Sequence, residues 1–145
     1  MRTKQEFRAI RERVGMSQAL LARTMGVSQR SVRFWEQEDS RRNPPEEAWG
    51  ILDHALEQQC RGLEIALAQV DVIIANMDGD EPKAINLPYW LCESEYLENS
   101  TDAAKGVFGD WRMANANNMA LALRLEERGF EVVWTKGNPA RPNQS

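Results

Sequence analysis

The sequence predicts a mostly α protein with a small α+β C-terminal part, and three observations point to it. Capped, short amphipathic helical patterns crowd residues 1–43. Apolar residues then recur in steps of three and four over residues 49–77, which marks one long connecting helix. After it, two short alternating runs flank a segment rich in Ala, Leu and Met, the pattern of a short two-stranded sheet plus helix. At 145 residues the chain has room for one ordinary domain or two small ones. The patterns divide it into a head with the start of the long helix at 1–62, a C-terminal region at 63–136, and a disordered tail at 137–145.

Thr3-Lys4-Gln5-Glu6 is a capping box, so the first helix starts at Lys4 and stops at Gly15, with Phe7, Ile10 and Val14 inward. Ser17 caps a second helix that ends near Met25 and turns Leu20, Leu21 and Ala22 inward. Met25-Gly26-Val27 supplies a turn whose Gly takes the left-handed conformation at low cost. Ser28 caps a third helix from Gln29 to about Gln37. There Val32 and Trp35 point inward, while Gln29, Arg30, Ser31 and Arg33 face outward. Two short helices about such a turn form a helix-turn-helix, and long polar side chains on a narrow exposed helix face are what base edges in a major groove require.

Residues 38–42 form a polar loop in which Arg41 and Arg42 directly follow that helix. Asn43, Pro44, Pro45 and Glu46 read as the cap, first-turn prolines and capping acid of the long helix. About thirty residues would extend it about 45 Å, further than a small head can cover, so its distal half must pack elsewhere. Gly50 and Gly62 weaken it, with a break near Gly62 left open. Residues 77–82 end it in a turn whose acids lack the ligand spacing of a calcium loop. A strand at 84–91 alternates Ile85, Leu87 and Tyr89 against Asn86, Pro88 and Trp90, and Pro88 confines it to an edge or makes a bulge. Residues 131–136 form the second strand. Between them lies a helix at 110–128, ended by Gly129, that is apolar on more than one face. That breadth implies a second layer, either the long helix or another subunit, and makes Trp111, Met119, Leu121, Leu123 and Leu125 candidate dimer-interface residues.

The run at residues 18–36, QALLARTMGVSQRSVRFWE, resembles the helix-turn-helix of the Cro and phage-repressor class of transcriptional regulators. Gln18, Ala22, Gly26, Val27, Ser28, Val32, Trp35 and Glu36 fall where that class has its motif residues. The resemblance implies that Gln18 opens the first motif helix and touches phosphate, and that the recognition helix occupies 28–37. It also implies an ion pair between Arg11 and Glu36 tying the first helix to the end of the recognition helix, and a loop around Arg41 and Arg42 lying along the sugar-phosphate backbone. More narrowly, SxRSxxxWE (Ser28, Arg30, Ser31, Trp35, Glu36), the Pro-initiated long helix and DWRxxxxxxxALAL at 110–123 resemble a group of bacterial and phage regulators. The group includes the anti-CRISPR-associated autorepressors and the YdiL-like proteins. It implies a mobile-element setting and dimers held by the C-terminal part. The loop after Glu36 departs from the group in lacking its usual Gly and in being about one residue longer.

Charge agrees with this division. Residues 1–43 carry 10 Lys+Arg against 5 Asp+Glu, and the rest 8 against 17, so a basic head sits on an acidic body within a net charge of −4. Phosphate attraction needs positive charge only where the duplex lies. No stretch has the apolar length of a membrane span or signal sequence, which predicts a cytoplasmic protein with no membrane partner. Cys60 and Cys92 read as reduced, structural thiols. His54 is the single histidine, and Asp78, Asp80, Glu81, Asp102 and Asp110 stand in no acid and base arrangement, so no enzyme, metal or cofactor is expected.

The expected function is regulation by sequence-specific binding of double-stranded DNA, as a homodimeric repressor on an inverted repeat. Gln29, Arg30, Arg33 and Phe34 are the candidates for reading bases, and Gln18, Ser28, Ser31, Arg41 and Arg42 for holding phosphate. The alternative is an antitoxin-like or other protein-interaction module whose acidic body holds a protein partner while the head binds DNA. RNA is an alternative ligand, because exposed Arg and Phe34 would serve a base stack as well as a groove.

Overall fold

The computed structural model describes residues 2–77, 79, 84–100 and 109–136. The chain is mostly helical, with an N-terminal helix-turn-helix region and a small two-stranded sheet plus helix towards its C-terminus. It divides into two compact units, Met1–Cys60 and Arg61–Ser145. The acids Asp78, Asp80, Glu81 and Asp102, and the tail at 137–145, lie outside the described residues.

In the first unit, α1 (Lys4–Arg13), α2 (Gln18–Met25) and α3 (Gln29–Glu36) start at the side-chain caps Thr3, Ser17 and Ser28. Each cap oxygen accepts a main-chain N–H three residues on, satisfying a donor that the first helical turn leaves free. Phe7, Leu21, Val32 and Leu52 are fully buried. Phe7 meets Trp35 and Trp49 edge to face, with centroids 6.3 and 5.1 Å away. Gln59, within the apolar stripe, is buried because its Nε2 donates to the Arg13 carbonyl at 2.9 Å, closing the end of α1.

The long helix α4 runs unbroken over Glu46–Ala75, so Gly62 does not interrupt it. A glycine costs about 1 kcal/mol relative to alanine inside a helix, too little to break thirty packed residues. The helix starts later than the Asn43 cap predicted from sequence. Its first carbonyl acceptor is that of Pro45, which takes the N–H groups of Ala48 and Trp49. Asn43 and Pro44 each precede a proline, whose ring disfavours the α region for them, so Pro45 is the first residue free to begin.

In the second unit, β1 (Ala84–Pro88) pairs in parallel with β2 (Glu131–Thr135), Ala84 opposite Glu131 and Pro88 opposite Thr135. A parallel pair needs a crossover, and α5 (Glu93–Asn99) and α6 (Trp111–Glu127) lie within it. Asp110 caps α6, and Gly129 follows it at φ 91°. Leu87, Ala122 and Leu125 form one core, against which Leu67 and Val70 of α4 pack. Trp90, Tyr96 and Ala114 form another, flanked by Trp111.

Several expectations are corrected here. The first strand ends at Pro88, and Trp90 turns inward while Tyr89 stays 41% exposed, the reverse of the alternation. Asn115 of α6 causes this. Its Oδ1 accepts the Trp90 N–H and its Nδ2 donates to the Trp90 carbonyl, both at 2.8 Å, which fixes that residue over α6. The short helix α5 was not foreseen from the sequence. Of the five candidate contact residues on α6, Met119 and Leu123 are exposed, Leu125 is a core residue of its own unit, and Leu121 and Trp111 pack against the two cores. Cys60 and Cys92 are free but exposed, so neither is a packed structural thiol.

Candidate nucleic-acid interface

The turn between α2 and α3 is set by Gly26 at φ 70°. Its N–H donates to the Arg23 carbonyl at 3.3 Å and that of Val27 to the Ala22 carbonyl at 3.0 Å, the paired bonds that close a helix through a left-handed residue. Ser28 then restarts the chain as α3. At about 100° per residue, the buried Val32 and Trp35 define the inner side, and Gln29, Arg33, Arg30 and Phe34 fan over about 140° of the outer one. Gln29, Arg30 and Arg33 are exposed; Phe34 is half-buried.

Phe34 is half-buried because two guanidinium groups lie over its ring. Arg30 Cζ is 5.3 Å and Arg42 Cζ 5.4 Å from the centroid. Each stack is worth about 0.5–1 kcal/mol at an exposed site and limits where the arginine can swing. Arg42 also donates to Ser31 Oγ at 3.2 Å, and Ser31 Oγ lies 3.1 Å from Ser28 Oγ. Ser28, Ser31 and Arg42 therefore form one polar cluster at the start of α3. Arg41, next to Arg42 in sequence, is exposed. Phe34 serves here as the platform under two arginines.

Two buried or half-buried contacts hold α3 from behind. Arg11 Nε donates to Glu36 Oε2 at 2.6 Å and Arg11 Nη2 to Glu36 Oε1 at 2.8 Å. Gln18 Nε2 adds a bond to Glu36 Oε1 at 3.2 Å, and Arg11 Nη1 reaches the Met16 carbonyl at 3.0 Å. Gln18 is thus tied to Glu36 by one N–H of its amide. The second contact, missed in the sequence, is Lys4. Its Nζ donates to the carbonyls of Phe34 at 3.0 Å and Trp35 at 3.2 Å, and to that of Arg42. One cation thereby closes the carbonyl end of α3 and ties the Arg42 loop to it. The available signal was a local conflict, since a lysine in the first turn of α1 opposes that helix's own dipole.

Compared with known families, residues 7–57 match the family model described as Helix-turn-helix, from Phe7 of α1 into α4. The chain thus carries a helix-turn-helix domain, which supports a DNA-binding transcriptional regulator. No curated protein matches the chain. Among the described residues no group of His, Cys, Asp or Glu could hold a metal ion, and no helix is long and apolar enough to cross a membrane.

Proposed function

We propose that the chain is a sequence-specific DNA-binding regulator, a homodimeric autorepressor that holds an inverted-repeat operator through residues 28–37. The observation that carries this reading is the outer face of α3: Gln29, Arg30 and Arg33 are exposed on a helix held from behind by Glu36 and Lys4. A held helix presents its fork of donors without losing much side-chain freedom on binding, and an Arg guanidinium matches the O6 and N7 acceptors of guanine. Arg30, steadied over Phe34, is assigned to that contact, with Gln29 and Arg33 beside it. Ser28, Ser31, Arg41 and Arg42 are assigned to phosphate, at the positive end of α3. Gln18 positions Glu36 with one N–H of its amide, which leaves the second N–H of Nε2 to donate to a phosphate.

A single head of this size covers little DNA, so assembly through the C-terminal region supplies the second recognition helix about one helical turn away. Anisotropy titration of a duplex from immediately upstream of the gene tests the reading. Binding selective for an inverted repeat supports it, and equal binding of a scrambled duplex refutes it. RNA of the same sequence belongs in the same titration, and preference for RNA would transfer the outer face of α3 to that ligand.

A second reading, a protein-interaction module with the head on DNA, is favoured by one observation. On α4, Ile65, Val72 and Ile73 are 54, 59 and 57% exposed and line an open apolar groove with Ala68 and Gln69. This reading requires the groove to stay open in the purified protein. Strong protection of residues 65–73 from side-chain labelling would count against it.

A further inference from the structure

The two outer edges of the β1-β2 sheet are treated unequally. Tyr89 N–H donates to the Thr135 carbonyl at 3.0 Å, which fixes the phase of the parallel ladder. Residues 131, 133 and 135 turn their main-chain groups towards β1, and 84, 86 and 88 turn theirs to the far edge of β1. That edge is guarded at Pro88. Pro88 has no N–H to leave bare, and its carbonyl accepts from Asn118 Nδ2 at 3.0 Å.

The outer edge of β2 carries no such guard. Val132 and Trp134 direct their N–H and carbonyl groups away from β1, and the sheet holds two strands, so no described strand meets them. The strand reads Glu-Val-Val-Trp-Thr, with no proline or lysine inside it and with strong β preference. Val133 is 38% and Trp134 41% exposed on it. An open edge of this composition pairs with another strand, and a two-stranded sheet gains most from a third.

We propose that β2 of a second copy of this chain occupies that edge, antiparallel, making one sheet in the order β1-β2-β2′-β1′. The pairing rests on the homodimer reading above and gives it a surface. A second copy fits for two reasons. With Val132 and Trp134 as the outward-bonding residues, an antiparallel copy sets Val132 opposite Trp134 twice and Val133 opposite itself, joining β-branched and aromatic side chains across the pair. Glu131 opens the strand and Lys136 directly follows it, so antiparallel copies bring the acidic end of each towards the basic end of the other, where parallel copies would set like beside like. The contact is two-fold symmetric, as an inverted repeat requires.

The test uses Val133, whose side chain lies on the open face and outside both cores. Full-length wild type, Val133→Lys and Val133→Glu are compared by sedimentation equilibrium at micromolar concentration. The proposal predicts a wild-type dimer of the 16.6 kDa chain, loss of the dimer in each variant, and its return when the two variants are mixed in equal amounts. A Val133→Lys protein as dimeric as wild type would overturn the β2 pairing while leaving the homodimer reading intact. A wild type that stays monomeric on operator DNA would overturn both. If a variant fails to fold, amide exchange of the wild type decides. Slow exchange at Val132 and Trp134 supports the pairing, and exchange as fast as in an open chain overturns it.

Discussion

Arg11 and Glu36 meet in a two-pronged ion pair with side chains only 9% and 3% exposed. It joins α1 to the last residue of α3, the helix whose outer face carries Arg30 and Arg33. A buried pair of this kind contributes little over a well-packed apolar one, but leaving one partner unmatched is costly. Glu36→Ala strands a buried guanidinium and should lower stability by about 3–5 kcal/mol. Arg11→Met with Glu36→Leu together should recover much of that loss. Urea unfolding followed by tryptophan fluorescence measures both. A single-variant loss below about 1 kcal/mol, the range of an exposed pair, would contradict this account.

Lys4 makes three main-chain contacts that join α1, α3 and the Arg42 loop. Lys4→Met keeps the apolar stem and removes the donor, with an expected cost of about 1 kcal/mol for a half-buried charge at a helix carbonyl end. DNA affinity should fall more than stability alone explains, because the loop loses its tie. Unchanged affinity in a folded variant would show that the loop holds its place without Lys4.

Arg42 stacks on Phe34 and bonds Ser31, so its charge stays near the start of α3. Arg42→Ala should weaken binding to all duplexes alike and reduce the slope of log affinity against log salt by about one unit per head, about two for the dimer. An unchanged slope would remove Arg42 from the phosphate contacts.

The Cys92 thiol is held below the ordinary thiol range, chiefly by its contact with the Ser94 hydroxyl at 3.2 Å. A larger thiolate fraction at a given pH makes an exposed cysteine react faster. Iodoacetamide near neutral pH should therefore modify Cys92 faster in the folded protein than in the urea-unfolded chain. The opposite order would contradict the hydrogen-bond assignment.

Much of the fold was legible because its determinants are local. Thr3, Ser17, Ser28 and Asp110 announce helix starts, and Gly26 and Gly129 announce stops. What was hidden depends on residues far apart in sequence. Asn115 holds the main chain of Trp90 across 25 residues, and nothing near Trp90 signals that it turns inward. Cys92 starts α5 without a side-chain cap bond, so that helix has no sequence mark at its head. Leu125 and Met119 look equally apolar in the sequence, and only the packing of α6 on Leu87 separates a core residue from an exposed one. In the head, the period of three fixed which side of α3 faces out. The contacts that hold it there run from Lys4 and Arg11, some thirty and twenty-five positions away.

The most direct measurement of the central claim is an anisotropy titration at fixed salt, comparing a duplex carrying the upstream inverted repeat with its scrambled form, for wild type and Arg30→Ala. The account predicts that wild type prefers the repeat by about 10³-fold or more, and that Arg30→Ala loses about 1–3 kcal/mol per half-site on the repeat alone. Equal wild-type affinity for the two duplexes, or an Arg30→Ala loss that is the same on both, would contradict it.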